Sequence, residues 1–184
     1  MKNIVLLYAL LFMVSCAQKK EKKDSSNTSD AGYFSIVQFA QDQFANFGGQ
    51  PYTLRKIVTL NGKTDSTFVK ANEMDWANVL KPFLESDISN KKYLDQYNFS
   101  LFEDSATDTR SFYYEAKEKK LFTRTLQITS DALNNKITAI YIETEKNGKV
   151  QKLFYRPLKI IQIQEYESPF WGKDKNLKVE YYFM

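Results

Sequence analysis

Residues 137–166 read ITAIYIETEKNGKVQKLFYRPLKIIQIQEY, and this stretch determines the type of sheet that the chain can form. Apolar and polar residues alternate through much of it, which is typical of β-strands with one buried face. Asn147-Gly148 between two such runs is the strongest short signal for a type I′ hairpin turn. The stretch therefore predicts antiparallel strands over 137–146, 150–156 and 158–166, with a turn at Arg156-Pro157.

The same signals continue on both sides of this stretch. Asn61-Gly62 is a second hairpin turn, and further strands are predicted over 52–60, 64–70, 97–102, 110–116, 121–129 and 177–183. No connection after residue 97 is long enough for a crossover helix, so the sheet is expected to be antiparallel throughout. So large a sheet must curl or be covered by helices. The predicted fold class is α+β: a large curved antiparallel meander sheet, half-barrel or barrel-like, with two N-terminal helices packed on it.

Two amphipathic patterns supply these helices. The first has apolar residues at spacings of three and four, ended by Gly48-Gly49: Tyr33, Val37, Ala40, Phe44 and Phe47. The second is predicted to begin with Asn72 as N-cap, with Asp75 three residues on, and Pro82 should kink or end it. Its buried face is predicted from four residues: Trp76, Val79, Leu80 and Phe83.

The N-terminus follows the order of a secretory signal, with Lys2, an apolar run over 4–14 and the small residue Ser15. The run is shorter than the roughly 20 residues that span a membrane. Met13-Val14-Ser15-Cys16 resembles the lipobox of bacterial lipoproteins. That resemblance implies a signal peptide over 1–15, acylation of Cys16 with palmitate or similar chains, and cleavage that leaves Cys16 as the new N-terminus.

Cys16 is the only cysteine of the 184-residue chain. Lipidation explains an unpaired thiol in an exported protein; the alternatives are a chance cysteine after an ordinary signal peptide and a buried N-terminal helix with a free thiol. Residues 16–31 are too polar to fold and predict a flexible tether, which leaves 32–184 as a single domain. By resemblance to Gram-negative lipoproteins, Ala17-Gln18 implies the outer membrane, on its periplasmic side or at the cell surface.

Four segments of the body carry a further resemblance: QPYTL (50–54), NGKTDS (61–66), KLFTR (120–124) and IYIETE (140–145). They resemble a family of uncharacterised lipoproteins of the Bacteroidota type. The resemblance implies an envelope address and supplies no site residues.

The composition excludes several chemistries. The chain has no histidine, and lipid would consume its one thiol, which removes Ser-His-Asp and Cys-His catalysis, Cys/His zinc sites and thiol redox work. No glycine-rich phosphate loop occurs. The net charge of +4 is too small to indicate nucleic-acid binding. We expect no enzyme activity, no cofactor and no metal.

Three groups of residues remain as candidates. Glu103, Asp104 and Asp108, near Arg110, could bind a cation or do acid/base work, but a solvated turn explains them better. Among the many aromatic residues, Trp171, Tyr141 and Phe154 are candidates for contact with a glycan or an apolar ligand; filling of the core is the competing explanation. The third group is a predicted basic end of the meander, which would contact anionic lipid or an acidic partner. The alternative is that these lysines serve only solubility. The group consists of Lys119, Lys120, Lys149 and Lys175.

The sequence thus predicts a membrane-anchored envelope lipoprotein that binds an apolar ligand or a protein partner without catalysis. One alternative is a structural or assembly accessory of the outer membrane without a small ligand, and a carboxylate-based hydrolase is a third. An enclosed cavity would favour the ligand-binding protein, whereas a filled core with an exposed apolar patch would favour the accessory.

The anchor predicts the outcome of Cys16→Ser. This variant should incorporate no labelled palmitate and should leave the membrane fraction, because one signal for stable attachment is removed while the body still folds. Fractionation with a salt wash, beside circular dichroism of the released protein, measures both effects. Continued labelling, or membrane association that survives the wash, would contradict the lipoprotein prediction.

Overall fold

A computed structural model describes residues 33–169 and 172–184. In chain order, a helix, a strand hairpin, a second helix and seven more strands follow one another. Their bounds are α1 (Ile36–Phe47), β1 (Thr53–Leu60), β2 (Lys63–Lys70), α2 (Trp76–Glu85), β3 (Tyr97–Asp104), β4 (Thr109–Ala116), β5 (Thr123–Asp131), β6 (Ile137–Lys146), β7 (Lys149–Arg156), β8 (Ile160–Glu167) and β9 (Lys175–Phe183). Cys16, the predicted signal peptide and tether, and Trp171 lie outside the described residues.

All nine strands belong to one antiparallel sheet, in the order β2-β1-β9-β8-β7-β6-β5-β4-β3. From β3 to β9 the sheet is a meander in which each strand pairs with the next one in the chain. The early hairpin joins it at the far side, where β1 pairs with β9 and Leu54 lies opposite Phe183. Because β2 and β3 are both edges, the sheet is open, and the predicted α+β class with a curved meander is confirmed without barrel closure.

The turns follow the sequence signals closely. Asn61 and Gly62 have φ of 49° and 83°, and Asn147 and Gly148 have φ of 52° and 77°, as type I′ turns require. The chain also turns after Arg156, whose carbonyl accepts a hydrogen bond from Lys159 N at 3.0 Å. The predicted strand over 158–166 therefore begins later, at Ile160.

Curvature comes from the middle of the sheet. The pairing of β5 with β6 shifts register between Thr123 and Thr125 and again between Thr129 and Ser130. An extra residue in one strand bends it and increases its twist. The sheet therefore curves around an inner face, where side chains such as Leu126 are fully buried, and away from an outer face.

Both helices pack on the inner face and close the core. Phe47 at the end of α1 is fully buried, with its ring 4.7 Å from Trp76 of α2 and 5.7 Å from Phe183 of β9. Between helices and sheet, a cavity of only about 10 Å³ lies around Phe83 and Tyr155. A water molecule needs at least about that much, so the core is filled at this place.

A single carboxylate fixes the start of α1. Asp87, in the loop after α2, accepts hydrogen bonds from Val37 N at 2.8 Å and from the Ser35 hydroxyl at 3.1 Å. Ser89 donates two more, from its backbone N and its hydroxyl. Partial burial raises the pKa of Asp87, but these hydrogen bonds outweigh it and hold the pKa below its usual value. The negative charge also suits the positive end of the α1 dipole.

The second helix differs from its prediction at the start. Its N-cap is Asp75, whose side chain accepts a hydrogen bond from Asn78 N at 3.2 Å, and not Asn72. Asn72 instead lies in a 3₁₀ turn, Ala71–Glu73. A hydrogen bond from Trp76 Nε1 to Ala71 O, at 2.7 Å, holds this turn in place. Pro82 does not end the helix, which continues to Glu85.

The hairpin turn between β6 and β7 predicts the effect of Gly148→Val. The free energy of unfolding should fall by about 1 kcal/mol or more, because a β-branched residue is strained at positive φ. Chemical denaturation measures the change. Gly49→Val is the control, since Gly49 has no positive φ and an added Cβ there meets nothing within 4 Å. Equal stability of the two variants would mean that this turn carries no such constraint.

Candidate functional site

Two of the predicted ligand-contacting residues lie side by side. Tyr141 of β6 and Phe154 of β7 are direct cross-strand partners on the outer face, away from both helices. Neither points toward the core, so the structure does not gather them around a cavity. Their role in ligand contact stays a prediction.

Tyr141 and Phe154 belong to a longer row on the outer face. The row runs across five neighbouring strands through Tyr113, Gln127, Tyr141, Phe154 and Gln162. The Tyr141 hydroxyl donates to Glu143 Oε2 at 3.0 Å. Burial and this neighbouring carboxylate raise the pKa of Tyr141 to about 12, so the phenol stays neutral. Half-buried rings and amides in one row offer stacking and hydrogen bonding to a flat polar ligand.

A separate exposed apolar surface lies on the inner face, beyond the reach of the helices. Phe99 and Leu101 of β3 remain 52% and 47% exposed. The Phe99 ring lies 6.4 Å from the Phe112 ring, stacked, and 5.1 Å from the ring of Tyr114. We name this surface the β3 shelf and define it by five residues: Phe34, Phe99, Leu101, Phe112 and Ile137.

An open groove of about 390 Å³ continues the β3 shelf toward β5. Its lining is mostly apolar, with two polar residues at one side: Phe34, Phe112, Tyr114, Ile128, Ser130, Asn135 and Ile137. A smaller apolar groove of about 250 Å³ lies between the solvent sides of α1 and α2, around Phe44 and Leu84. Both grooves are open to solvent, in contrast to the filled interior.

The sequence did not single out the β3 shelf. The run YNFSLFED has bulky residues on both faces, which is compatible with a central, fully covered strand. Only the sheet order shows that this strand is an edge. The strand also has no lysine or proline, the residues that usually protect an edge, so its composition gives no sign of its position.

The four lysines of the predicted basic end do lie at one end of the strands. Lys119 and Lys120 are in the β4–β5 connection, while Lys149 and Lys175 begin β7 and β9. We keep the name basic end for these four. Two of them have acidic partners, since Lys120 Nζ lies 2.7 Å from Glu118 and Lys149 Nζ lies 2.9 Å from Glu165. An open polar pocket of about 620 Å³ lies beside them, lined by Lys146 and Glu167 among others.

The acidic residues near residue 105 form a turn. Glu103 pairs with Arg110 at 2.8 Å, as expected, and Asp104 accepts hydrogen bonds from Ala106 N at 2.9 Å and Thr107 Oγ1 at 2.7 Å. These bonds lower the pKa of Asp104. Within residues 33–169 and 172–184, no group of three or more Cys, Asp or Glu side chains is arranged to hold a metal ion.

No protein-family model, curated protein or solved structure matches this chain. In the part of the chain that the structure describes, no helix is both long and apolar enough to cross a membrane.

Proposed function

We propose that this protein is an envelope lipoprotein, held on the outer membrane through Cys16, whose domain binds a protein partner at the β3 shelf without catalysis. The observation that carries the proposal is the contrast between a filled interior and an exposed apolar shelf. The cavity around Phe83 and Tyr155, between helices and sheet, measures about 10 Å³, whereas Phe99 and Leu101 are half exposed.

This contrast favours a protein partner over an enclosed apolar molecule. A small apolar ligand gains most of its affinity from a site that surrounds it and removes its surface from water. The β3 shelf offers one open wall and an exposed strand, which suits the broad face of another protein. Two of the functions predicted from the sequence, an accessory of the outer membrane and a protein that binds a partner, are therefore combined in this proposal.

The charges of the domain support an orientation with its basic end toward the membrane. The ring of Tyr33, the first described residue, lies 5.8 Å from the ring of Tyr97 at the start of β3. Tyr97 is opposite Ala116, the last residue before the β4–β5 connection. The chain therefore enters the domain at the same end as Lys119 and Lys120, so a tether to Cys16 and the basic end can act on the same membrane surface.

A binding role also agrees with how two of the acidic side chains are used. A general acid at neutral pH needs a carboxyl group whose pKa is raised. Asp87 and Asp104 have lowered pKa values instead, because each accepts hydrogen bonds that organise a helix start or a turn. Both carboxylates thus support structure.

The β3 shelf predicts a cross-link. A photo-reactive phenylalanine analogue at Leu101, in the lipidated protein in its own host, should form an adduct with a protein, because an apolar side chain there lies at the contact. The same analogue at Phe68, which is 65% exposed on the outer face of β2, is the control. Mass spectrometry of the adducts identifies their class. Adducts with lipid alone, or equal adducts at both positions, would overturn the proposal.

The basic end predicts salt-sensitive binding to membranes. Residues 17–184 should sediment with anionic vesicles at low salt and dissociate at high salt, since each well-placed lysine contributes about 1 kcal/mol. Binding should be lost when the four lysines of the basic end are changed to Glu.

A charge-matched control carries four such substitutions elsewhere on the domain: Lys70, Lys81, Lys136 and Lys159. This control should keep most of the binding, because the basic end is intact. If both variants lose binding equally, net charge alone attracts the protein, and if the unchanged protein never binds, the orientation is wrong.

A further inference from the structure

We infer that the β3 shelf binds a second copy of this chain, through antiparallel pairing of the two β3 edges. The inference rests on the proposed function, since it names the protein partner. Three features of β3 carry it: the backbone groups at its free edge, the apolar residues beside them, and the opposite charges at its two ends.

The ladder shows which backbone groups of β3 are free. Lys117 N donates to Gln96 O at 3.0 Å, which makes these two residues a hydrogen-bonded pair of the β3–β4 ladder. Such pairs alternate along antiparallel strands, so the even-numbered residues of β3 bond to β4. The N–H and C=O groups of four residues consequently point to the open edge: Tyr97, Phe99, Leu101 and Glu103.

These outward groups define one register for two copies. When Ser100 lies opposite Ser100 of the second copy, Phe99 pairs with Leu101 and Tyr97 pairs with Glu103 across the two-fold axis. Every outward N–H and C=O of the four residues then has a partner. A shift by two residues in either direction leaves one of the four without a partner in β3 of the other copy.

The same register matches the side chains. Phe99 and Leu101 both lie on the inner face, so their four side chains from the two copies meet in one apolar cluster. This cluster joins the two shelves and removes the half-exposed surfaces of both residues from water. On the outer face, Phe102 lies opposite Asn98 of the second copy, and no two like charges face each other within the strands.

The charges at the ends of β3 are also complementary. Around its start and the adjoining β4–β5 connection, four lysines face three acids: Lys92, Lys117, Lys119 and Lys120 against Asp95, Glu115 and Glu118. At its end, three acids face one arginine: Glu103, Asp104 and Asp108 against Arg110. Antiparallel pairing places the start of one β3 beside the end of the other, so the positive end of each copy meets the negative end of its partner.

The other edge of the sheet, β2, also has free backbone groups, but it lacks two neighbouring apolar side chains on one face and opposite charges at its ends. The exposed strand β2 has charged residues at both ends and in its middle, with Lys63, Asp65 and Lys70. Charges of this kind discourage pairing between sheet edges. The asymmetry points to β3 as the edge that associates.

The test is disulfide trapping of Ser100→Cys in the otherwise unchanged chain, in intact cells of its host treated with a mild thiol oxidant. Residues in a non-hydrogen-bonded pair have Cα atoms about 4.5 Å apart, which a disulfide can bridge. Acylation of Cys16 would leave the cysteine introduced by Ser100→Cys as the free thiol of the chain. Most of the protein should then run as a covalent dimer that reduction dissolves.

Asn98→Cys is the matched control, on the same strand and the same face. In the inferred register it lies opposite Phe102 of the second copy, too far from its own counterpart to react. The unsubstituted chain shows any dimer formed through Cys16. Adding Leu101→Lys to Ser100→Cys should reduce the dimer at least five-fold, while adding Phe68→Lys should not.

Each outcome decides the inference. Dimer from Ser100→Cys with little from Asn98→Cys supports the pairing and its register. Equal dimer from both positions would indicate random collision and would overturn it, as would no dimer from Ser100→Cys. If Leu101 then still cross-links to a different protein, the proposed function stands and only the identity of the partner is wrong.

Discussion

The pairing of β1 with β9 holds the other elements of the domain in their places. It sets a strand from the first third of the domain beside the last strand of the chain, where Met184 N donates to Thr53 O at 3.0 Å. Both helices flank the β1–β2 hairpin in sequence, so their position over the inner face follows from where that hairpin joins. Closing so long a loop is costly, and the core around Phe47 and Trp76 must offset that cost.

Local signals predicted the elements of this fold well, because each turn is specified by its own residues. Asn61-Gly62 and Asn147-Gly148 need no distant partner to adopt positive φ. The predicted start of α2 was wrong because two residues that can serve as N-cap, Asn72 and Asp75, lie within four positions of each other. The competition is decided by Trp76, whose indole bonds Ala71 O and keeps the preceding turn outside the helix.

The candidate site was harder to predict, because exposure depends on which strands end up at the edges. Nothing within the run Tyr97–Asp104 distinguishes an edge strand from a covered one; the sheet order does. Residue type alone also did not show which aromatic side chains face solvent and which lie in the core. Tyr141 and Phe154 face outward, while Tyr155, one position along the same strand, is buried against the helices. The residue types that the chain lacks were a more reliable guide than the aromatic residues, because the absence of histidine does not depend on how the chain folds.

The unequal edges of the sheet also set a limit on growth. A strand edge that accepts a neighbour normally creates a new edge, which is how open sheets extend into fibrils. Two copies joined through β3 would use up that edge in both, and the only edges left would be the two charged β2 strands. Such an association is isologous and closed at two members. The same asymmetry that exposes an apolar strand would thus prevent the paired copies from growing into a polymer.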